Sequence, residues 1–273
     1  MVSQEQRRRQ LAREKFLRQQ QRRTSARRRT QTRNAVIAAV VGVVVAGGAT
    51  AYATGVFKSD GKKTNAGAEA TPSAAPTSKA PDPCEKPAEG AVKSLTWKKE
   101  PAVTIDKSAA YSMKMATTCG DIDIALKAAA APHTVNSFAF LAGKGYFDHT
   151  KCHRLTTNGI YVLQCGDPTA QGSGGPGYTI PDENLKDKTL KGNVYPAGTI
   201  AMANTGQKHT GGSQFFLVYQ DSQLPPSYTP FGTISKSGMT VLKKIAAAGE
   251  STGQGDGAPN ATVVVNKLTV TKS

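Results

Sequence analysis

Residues 152–184 read CHRLTTNGIYVLQCGDPTAQGSGGPGYTIPDEN, and after a short break residues 198–218 read GTIAMANTGQKHTGGSQFFLV. Short runs of β-branched and aromatic residues are separated here by Gly, Pro and Asn turns, the pattern of short antiparallel strands. Strands are expected at residues 151–155, 161–164, 199–203, 214–219 and 230–234. Upstream, YSMKMAT (111–117) and IDIAL (122–126) alternate on either side of Cys119-Gly120-Asp121, which reads as a hairpin with its turn at those three residues. Pro132 opens a helix in which Val135, Phe138, Leu141 and Ala142 recur at helical spacing, and Gly143 stops it. A second helix is expected at 239–248, with Val241, Leu242 and Ile245 on one face, and a last strand at 262–270. Many short strands with only two helices imply a mainly-β domain over residues 111–273, an antiparallel barrel with helices covering its ends.

Outside that domain the composition changes sharply. Residues 1–34 hold twelve Lys/Arg against only Glu5 and Glu14, so a local net of +10 accounts for most of the chain's +16. This reads as a solvated basic tail. Docking on acidic lipid headgroups or nucleic acid is the alternative, but no aromatic interleaving or recognition motif favours nucleic acid, and none is expected as a partner. Residues 35–57 (AVIAAVVGVVVAGGATAYATGVF) carry no charge across 23 positions. At about 1.5 Å per residue that crosses a hydrocarbon core of roughly 30 Å. The basic flank then stays in the cytoplasm and the remainder lies outside, a single-pass cell-membrane protein with its folded domain extracytoplasmic. A cleaved signal peptide, with Ala49-Thr50-Ala51 near the cleavage point, is the competing reading. Residues 58–83 are rich in Ala, Pro, Ser, Thr and Lys and lack bulky apolar groups, so they read as a disordered linker. Residues 84–110, with Val92, Leu95, Trp97 and Val103 between polar positions, read as an N-terminal extension packing along the domain.

Cys84, Cys119, Cys152 and Cys165 suit an exported chain. They allow three complete pairings and the sequence does not choose among them. Cys152 and Cys165 bracket an apparent hairpin and could face each other; Cys84 with Cys119 would then tie the extension to the domain. With no CxxC, and Cys152-His153 alone no ligand set, no metal is expected.

Candidates for chemistry are few. QGSGGPG lacks the GK[ST] of a phosphate loop and opens no helix. Arg154 remains, among the apolar and amide-bearing strands of Tyr161, Val162, Gln164, Asn204, Gln214 and Phe216. Such a set suits a groove for an apolar peptide segment. Taken singly, Phe216 would be barrel core, Arg154 a surface ion-pair partner and His153 a structural histidine.

The ordered set lifts these residues above those bland readings. His153-Arg154-Leu155, Gln164-Cys165-Gly166-Asp167-Pro168, Gly174-Gly175-Pro176-Gly177-Tyr178, Ala201-Met202-Ala203-Asn204 and Gly212-Ser213-Gln214-Phe215-Phe216 resemble, in order, the signature of cyclophilins, and Phe231-Gly232 resembles the strand that closes their pocket. Over residues 111–273 the chain is similar to cyclophilin-type peptidyl-prolyl cis-trans isomerases, of a membrane-anchored actinobacterial kind. The resemblance implies an eight-stranded antiparallel barrel capped by two helices, with the groove on its outside. It implies action on proline-containing polypeptides with no cofactor, and since nothing in the domain suggests obligate association, a monomer is expected. Arg154 would donate to the prolyl nitrogen. Phe216 would floor the proline pocket, with Tyr161, Val162, Leu224 and Tyr228 around it and His153 beside Arg154. Gln164, Ala203 and Asn204 would hold the flanking peptide, and Gln214 would support Arg154. The chain departs from the family pattern in three places. Two extra residues lengthen the hairpin before Tyr161, Tyr228 stands where many members carry His, and Gln223 where drug-sensitive members carry Trp. A non-catalytic module that binds proline segments is the rival function.

Overall fold

The computed structural model describes residues 81–272, so the basic tail, the apolar run at 35–57 and most of the linker lie outside the described residues. In chain order the elements are β1 (Tyr111–Thr117), β2 (Gly120–Leu126), α1 (Pro132–Gly143), β3 (Thr150–Lys151), β4 (Arg154–Thr156), β5 (Val162–Cys165), β6 (Val194–Tyr195), β7 (Thr199–Met202), β8 (Phe215–Val218), β9 (Ser222–Gln223), β10 (Pro230–Ile234), α2 (Lys236–Ala247), β11 (Asp256–Gly257) and β12 (Val264–Lys272). No helix among the described residues is long and apolar enough to cross a membrane.

The first hairpin follows its pattern. Met113 faces Ile124 and Met115 faces Ile122, and all four side chains are buried while their neighbours in sequence point outward. The turn is tighter than expected: Gly120, at φ +125, already begins β2, and Thr118-Cys119 makes the turn. β10 keeps its expected bounds at 230–234, and the other strand bounds shift by one or two residues. The segment read as one strand at 151–155 divides into β3 and β4, and the β6–β9 ribbon carried no alternation that would announce it.

Pairing is antiparallel throughout, and the main sheet runs in the order β11-β4-β5-β8-β7-β10-β2-β1-β12-β3. Ten strands stand where eight were expected, for two local reasons. The two-residue β11 extends one edge. At the other end, β3 and β4 are neighbours in sequence yet belong to opposite ends of the order. Between them the Cys152 N–H donates to Val263 O (3.0 Å), beside β12, and the His153 N–H donates to Gln164 O (3.1 Å) on β5. One short run of chain thereby serves both ends of a sheet that curls round on itself. The Cys152–Cys165 disulfide sits at that seam, and Cys84–Cys119 fastens the extension to the first hairpin. In β10, a Cβ at Gly232 would sit 2.8 Å from Ala125 O and 2.9 Å from Ile200 Cγ2, so only glycine lets β10 pair with both β2 and β7.

Both helices cover the sheet. α1 buries Val135, Phe138 and Leu141, and the Phe138 ring meets Phe147, Phe215 and Phe231 at centroid distances of 5.2, 5.4 and 4.7 Å. Its N-cap residue, Ala131, offers no side-chain acceptor. Glu183 supplies one from 49 residues away, accepting from Thr134 N and Oγ1 (2.9 Å each), and it also accepts from His133 N at 3.0 Å. A carboxylate there satisfies orphan N–H groups and complements the helix dipole. α2 starts three residues earlier than expected because the Ser235 hydroxyl caps it through Gly238 N at 3.0 Å. Residues 84–110 form no helix or strand. The Trp97 N–H donates to Pro176 O (2.8 Å), and its indole packs on Phe140 at 5.1 Å.

Two stability predictions follow from this wiring. Chain-entropy arithmetic for loops of 35 and 13 residues assigns about 4 kcal/mol to Cys84–Cys119 and about 3 to Cys152–Cys165. Paired Cys→Ser substitutions in the full chain should lower the urea midpoint in that order; midpoints unchanged from the oxidised protein would reject it. Glu183→Ala should cost about 1–3 kcal/mol in the same experiment, because it strips the cap of α1 and leaves partly buried donors unpaired.

Candidate active site

Pairing register lines up one row of side chains across four strands. Arg154 on β4 stands opposite Gln164 on β5, Gln164 opposite Phe216 on β8, and Phe216 opposite Ala201 on β7. The adjacent row, Leu155, Leu163, Leu217 and Ile200, points the other way and is wholly buried in the main core. Phe215 and Phe216 are thus consecutive aromatics with opposite fates, Phe215 to the interior and Phe216 to the outer face. The outer face has an apolar cluster of its own. Val162, Tyr195, Ala201, Phe216 and Val218 are buried there, with Ile160, Leu224 and Tyr228 packed against them. The Tyr228 ring stands edge-on to Phe216 at 5.4 Å, and the Tyr195 hydroxyl donates to Tyr228 O at 2.8 Å.

That cluster opens as a cavity of about 110 Å³, lined by Arg154, Ile160, Val162, Gln164, Ala203, Asn204, Phe216, Leu224 and Tyr228. It is apolar on its floor and carries a guanidinium and two amides on its rim. A second cavity of about 790 Å³ adjoins it, sharing Gln164, Ala203 and Asn204. One wall of the larger cavity is the glycine-rich loop around Gly174 and Gly175; Lys98, Lys99 and Glu100 of the extension supply another. Asp167 shapes the loop, accepting from Thr169 N (2.7 Å), Gly172 N (2.6 Å) and Gly174 N (3.1 Å). Burial pushes the Asp167 carboxyl up, but those N–H donors and the Thr169 hydroxyl outweigh it and hold it below the usual range. A Cβ at Gly174 would collide with the Asp167 carboxylate.

Arg154 is held on two sides. Asp256 takes Nε (2.7 Å) and Nη2 (2.8 Å) in a two-point fork, and Gln164 Oε1 accepts from Nη1 at 3.1 Å. Gln164 Nε2 donates to Gln214 Oε1 (2.9 Å), and Gln214 Nε2 donates to Gly174 O (3.0 Å). The bond to Asp256 raises the Arg154 pKa further, so the guanidinium is charged at any working pH.

Eight of the expected residues therefore meet at the small cavity: Arg154, Val162, Gln164, Ala203, Asn204, Phe216, Leu224 and Tyr228. Three do not. Tyr161 turns away and packs edge-on against Tyr219 at 5.9 Å, and Ile160 takes the wall expected of it. The cause is the longer hairpin, in which Asn158 and Ile160 bridge before β5 begins. Gln214 lines the larger cavity and reaches Arg154 only through Gln164. His153 lines neither cavity, neither of its ring nitrogens is bonded among the described residues, and burial pushes its pKa down, which keeps the imidazole neutral at pH 7. Phe231, matched to the pocket-closing strand, sends its ring into the main core against Phe138. Two cavity-side residues had no sequence signal. Ile160 was hidden by the hairpin insertion, and Asp256 lies 102 residues from its partner in a Gly-rich turn.

Comparison with known proteins places this geometry. Residues 112–270 match the family model described as cyclophilin type peptidyl-prolyl cis-trans isomerase/CLD. A probable peptidyl-prolyl cis-trans isomerase B of Mycobacterium leprae is 51% identical over 168 residues, covering 59% of this chain and 57% of that protein. One from Mycobacterium tuberculosis is 47% identical over 168 residues, covering 59% and 54%. The match thus spans a little over half the length of these relatives. The crystal structure of a cyclophilin-type peptidyl-prolyl cis-trans isomerase of Cryptosporidium parvum superposes with a TM-score of 0.50 at 25% identity, covering 60% of this chain and 99% of that one. With the family model matched over more than half of its length, the chain belongs to the cyclophilin-type peptidyl-prolyl cis-trans isomerase family.

Proposed function

We propose that this protein accelerates cis-trans isomerisation of X-Pro bonds in polypeptides that fold outside the cytoplasm. The observation that carries the reading is the charged Arg154 on the rim of an apolar cavity floored by Phe216. Rotation about an X-Pro bond requires loss of amide conjugation, a barrier of about 18–20 kcal/mol, and no covalent intermediate. The proline ring occupies the cavity between Phe216, Val162, Leu224 and Tyr228, with Ile160 closing the side. As the bond twists, the prolyl nitrogen becomes pyramidal, its lone pair localises on it, and an Arg154 N–H donates to that pair. That bond is stronger in the twisted state than in either planar isomer, which is the condition for lowering the barrier. The peptide on either side lies along Gln164, Ala203 and Asn204 toward the larger cavity. His153 fills space next to Arg154 without lining the cavity.

Export rests on separate support. Both disulfides suit an oxidising compartment, and uncatalysed prolyl isomerisation, at tens to hundreds of seconds, is slow enough to limit folding there. The uncharged run at 35–57 tethers the chain to the cell membrane as a single pass, with the basic residues 1–34 cytoplasmic, 58–83 a linker, 84–110 an extension and 111–273 the isomerase domain. The protein works as a monomer, without a cofactor.

Turnover of an Ala-Pro or Phe-Pro test peptide by the full chain decides the matter. Arg154→Ala should lower kcat/KM by at least about tenfold, with peptide binding retained, as expected for loss of a bond made mainly in the transition state. Peptide binding without turnover in the unsubstituted protein would instead establish a proline-recognition module. A second expectation concerns cyclosporin. Gln223 is exposed and absent from the cavity lining, and Tyr228 fills the place of a pocket His, so the drug should inhibit weakly. Submicromolar inhibition in the same assay would contradict that.

A further inference from the structure

Asp256 lies on β11, a two-residue strand added to the edge of β4, with Asp256 opposite Thr156 and Gly257 opposite Leu155. The loop before it is strongly built. Glu250, buried, accepts from Thr252 N (2.6 Å), Thr252 Oγ1 (2.7 Å) and Gly255 N (2.8 Å), and the Thr252 hydroxyl also reaches Asp256 O at 3.2 Å. The Thr157 N–H donates to Gly255 O at 2.9 Å, which ties the loop to the strand that carries Arg154. A Cβ at Gly257 would collide with the Glu250 carboxylate, so this loop, like the one at Gly174, closes around an acid only because glycine is there. All of this delivers an acid whose side chain is 57% exposed to a guanidinium that is 37% exposed. Exposed ion pairs add little to stability, so folding alone is a poor reason for such scaffolding.

The donors of Arg154 suggest a better one. A guanidinium has five N–H bonds in a fixed plane. Asp256 takes one on Nε and one on Nη2, and Gln164 takes one on Nη1, which leaves a single N–H on each Nη. A two-point fork fixes the plane of the guanidinium as well as its place, which a single acceptor does not do. We propose that Asp256 is a positioning residue for the isomerisation: it fixes the Arg154 plane so that the remaining N–H groups stand ready for the prolyl nitrogen as the bond twists. The inference rests on the reading of Arg154 as the group that acts on substrate. Asp256 itself is absent from the lining of either cavity and acts through Arg154.

The test is a set of full-chain variants assayed by exchange-resolved NMR on one prolyl peptide, which separates kcat from affinity. Asp256→Ala should lower kcat by about tenfold and leave the peptide dissociation constant within about twofold, as expected when an oriented donor is loosened but the pocket stays intact. Asp256→Glu, which keeps two acceptor oxygens, should recover part of the loss; Asp256→Asn, with one acceptor, should recover less. Adding Asp256→Ala to Arg154→Ala should slow the enzyme no further. Wild-type kcat in Asp256→Ala, beside a slow Arg154→Ala, would overturn the proposal and spare the isomerase reading. A further loss in the double variant would also overturn it, because Asp256 would then act other than through Arg154. Wild-type turnover in Arg154→Ala would overturn both readings together.

Discussion

A curled sheet that meets itself needs one stretch of chain to satisfy hydrogen bonds at both of its ends, and here that stretch is Cys152–His153. The fold and the groove both depend on it. On one side Cys152 reaches the strand region leading into β12; on the other, His153 is bonded to β5 and hands the chain to β4. Arg154 is the first residue past the seam. Its position in the row with Gln164 and Phe216 is therefore set by closure of the sheet itself. A one-residue slip would send Arg154 inward and Leu155 outward, placing a charge in the main core. The seam is also where the disulfide to Cys165 lies, one residue beyond Gln164 on the same strand. The covalent link and the register error it would prevent are in the same place.

The groove exists because β5, β7 and β8 are covered on both faces. Every residue of β7 and β8 is buried, so neither strand alternates in polarity the way β1 and β2 do. The inner face joins the main core under α1. The outer face makes a smaller core, roofed in part by Tyr195 and Tyr228, and its uncovered portion is the cavity beside Arg154. A single apolar wall with polar atoms only at its rim suits a proline ring, which has no N–H to satisfy and a flat apolar edge to bury. The same arrangement offers no hydrolytic chemistry in the groove: its lining holds no nucleophile–base pair, and His153 lines neither cavity.

What was legible in the sequence follows this division. Alternation gave the first hairpin and helical spacing the core of α2, because in both one face is wet; α1, covered nearly all round, was legible from Pro132 at its start and the spacing of its apolar residues. Ordered motifs gave Arg154, Gln164, Ala203, Asn204 and Phe216, since each motif holds its residues in fixed local geometry on one strand or turn, and the family likeness between the motifs gave Val162, Leu224 and Tyr228. Tyr161 missed because two inserted residues changed which side chain of the hairpin faces the cavity, and alternation cannot be counted through a turn of unknown shape. The splitting of the strand at the seam had no signal either: a strand that changes partners midway looks the same in sequence as one that does not.

Carboxylates that order loops were the other thing hidden. Glu183 caps α1, Asp167 gathers the N–H groups of the glycine-rich loop, Asp187 binds Lys127 and the Thr189 turn, and Glu250 gathers those before β11. Asp167 stood in a family motif without a role, and the other three look in sequence like ordinary surface acids among turn residues. In the fold each replaces the secondary structure that its loop lacks, by supplying acceptors for backbone donors that would otherwise be half-buried and unpaired. This explains how so loop-rich a chain can hold a groove still. On the proposed reading, a group that meets a nitrogen only when its bond is twisted gains nothing from mobility, because every orientation it samples away from that geometry dilutes the one that counts. The acids around the groove and the strands beneath it thus meet the same physical demand, one through side-chain acceptors and the other through register.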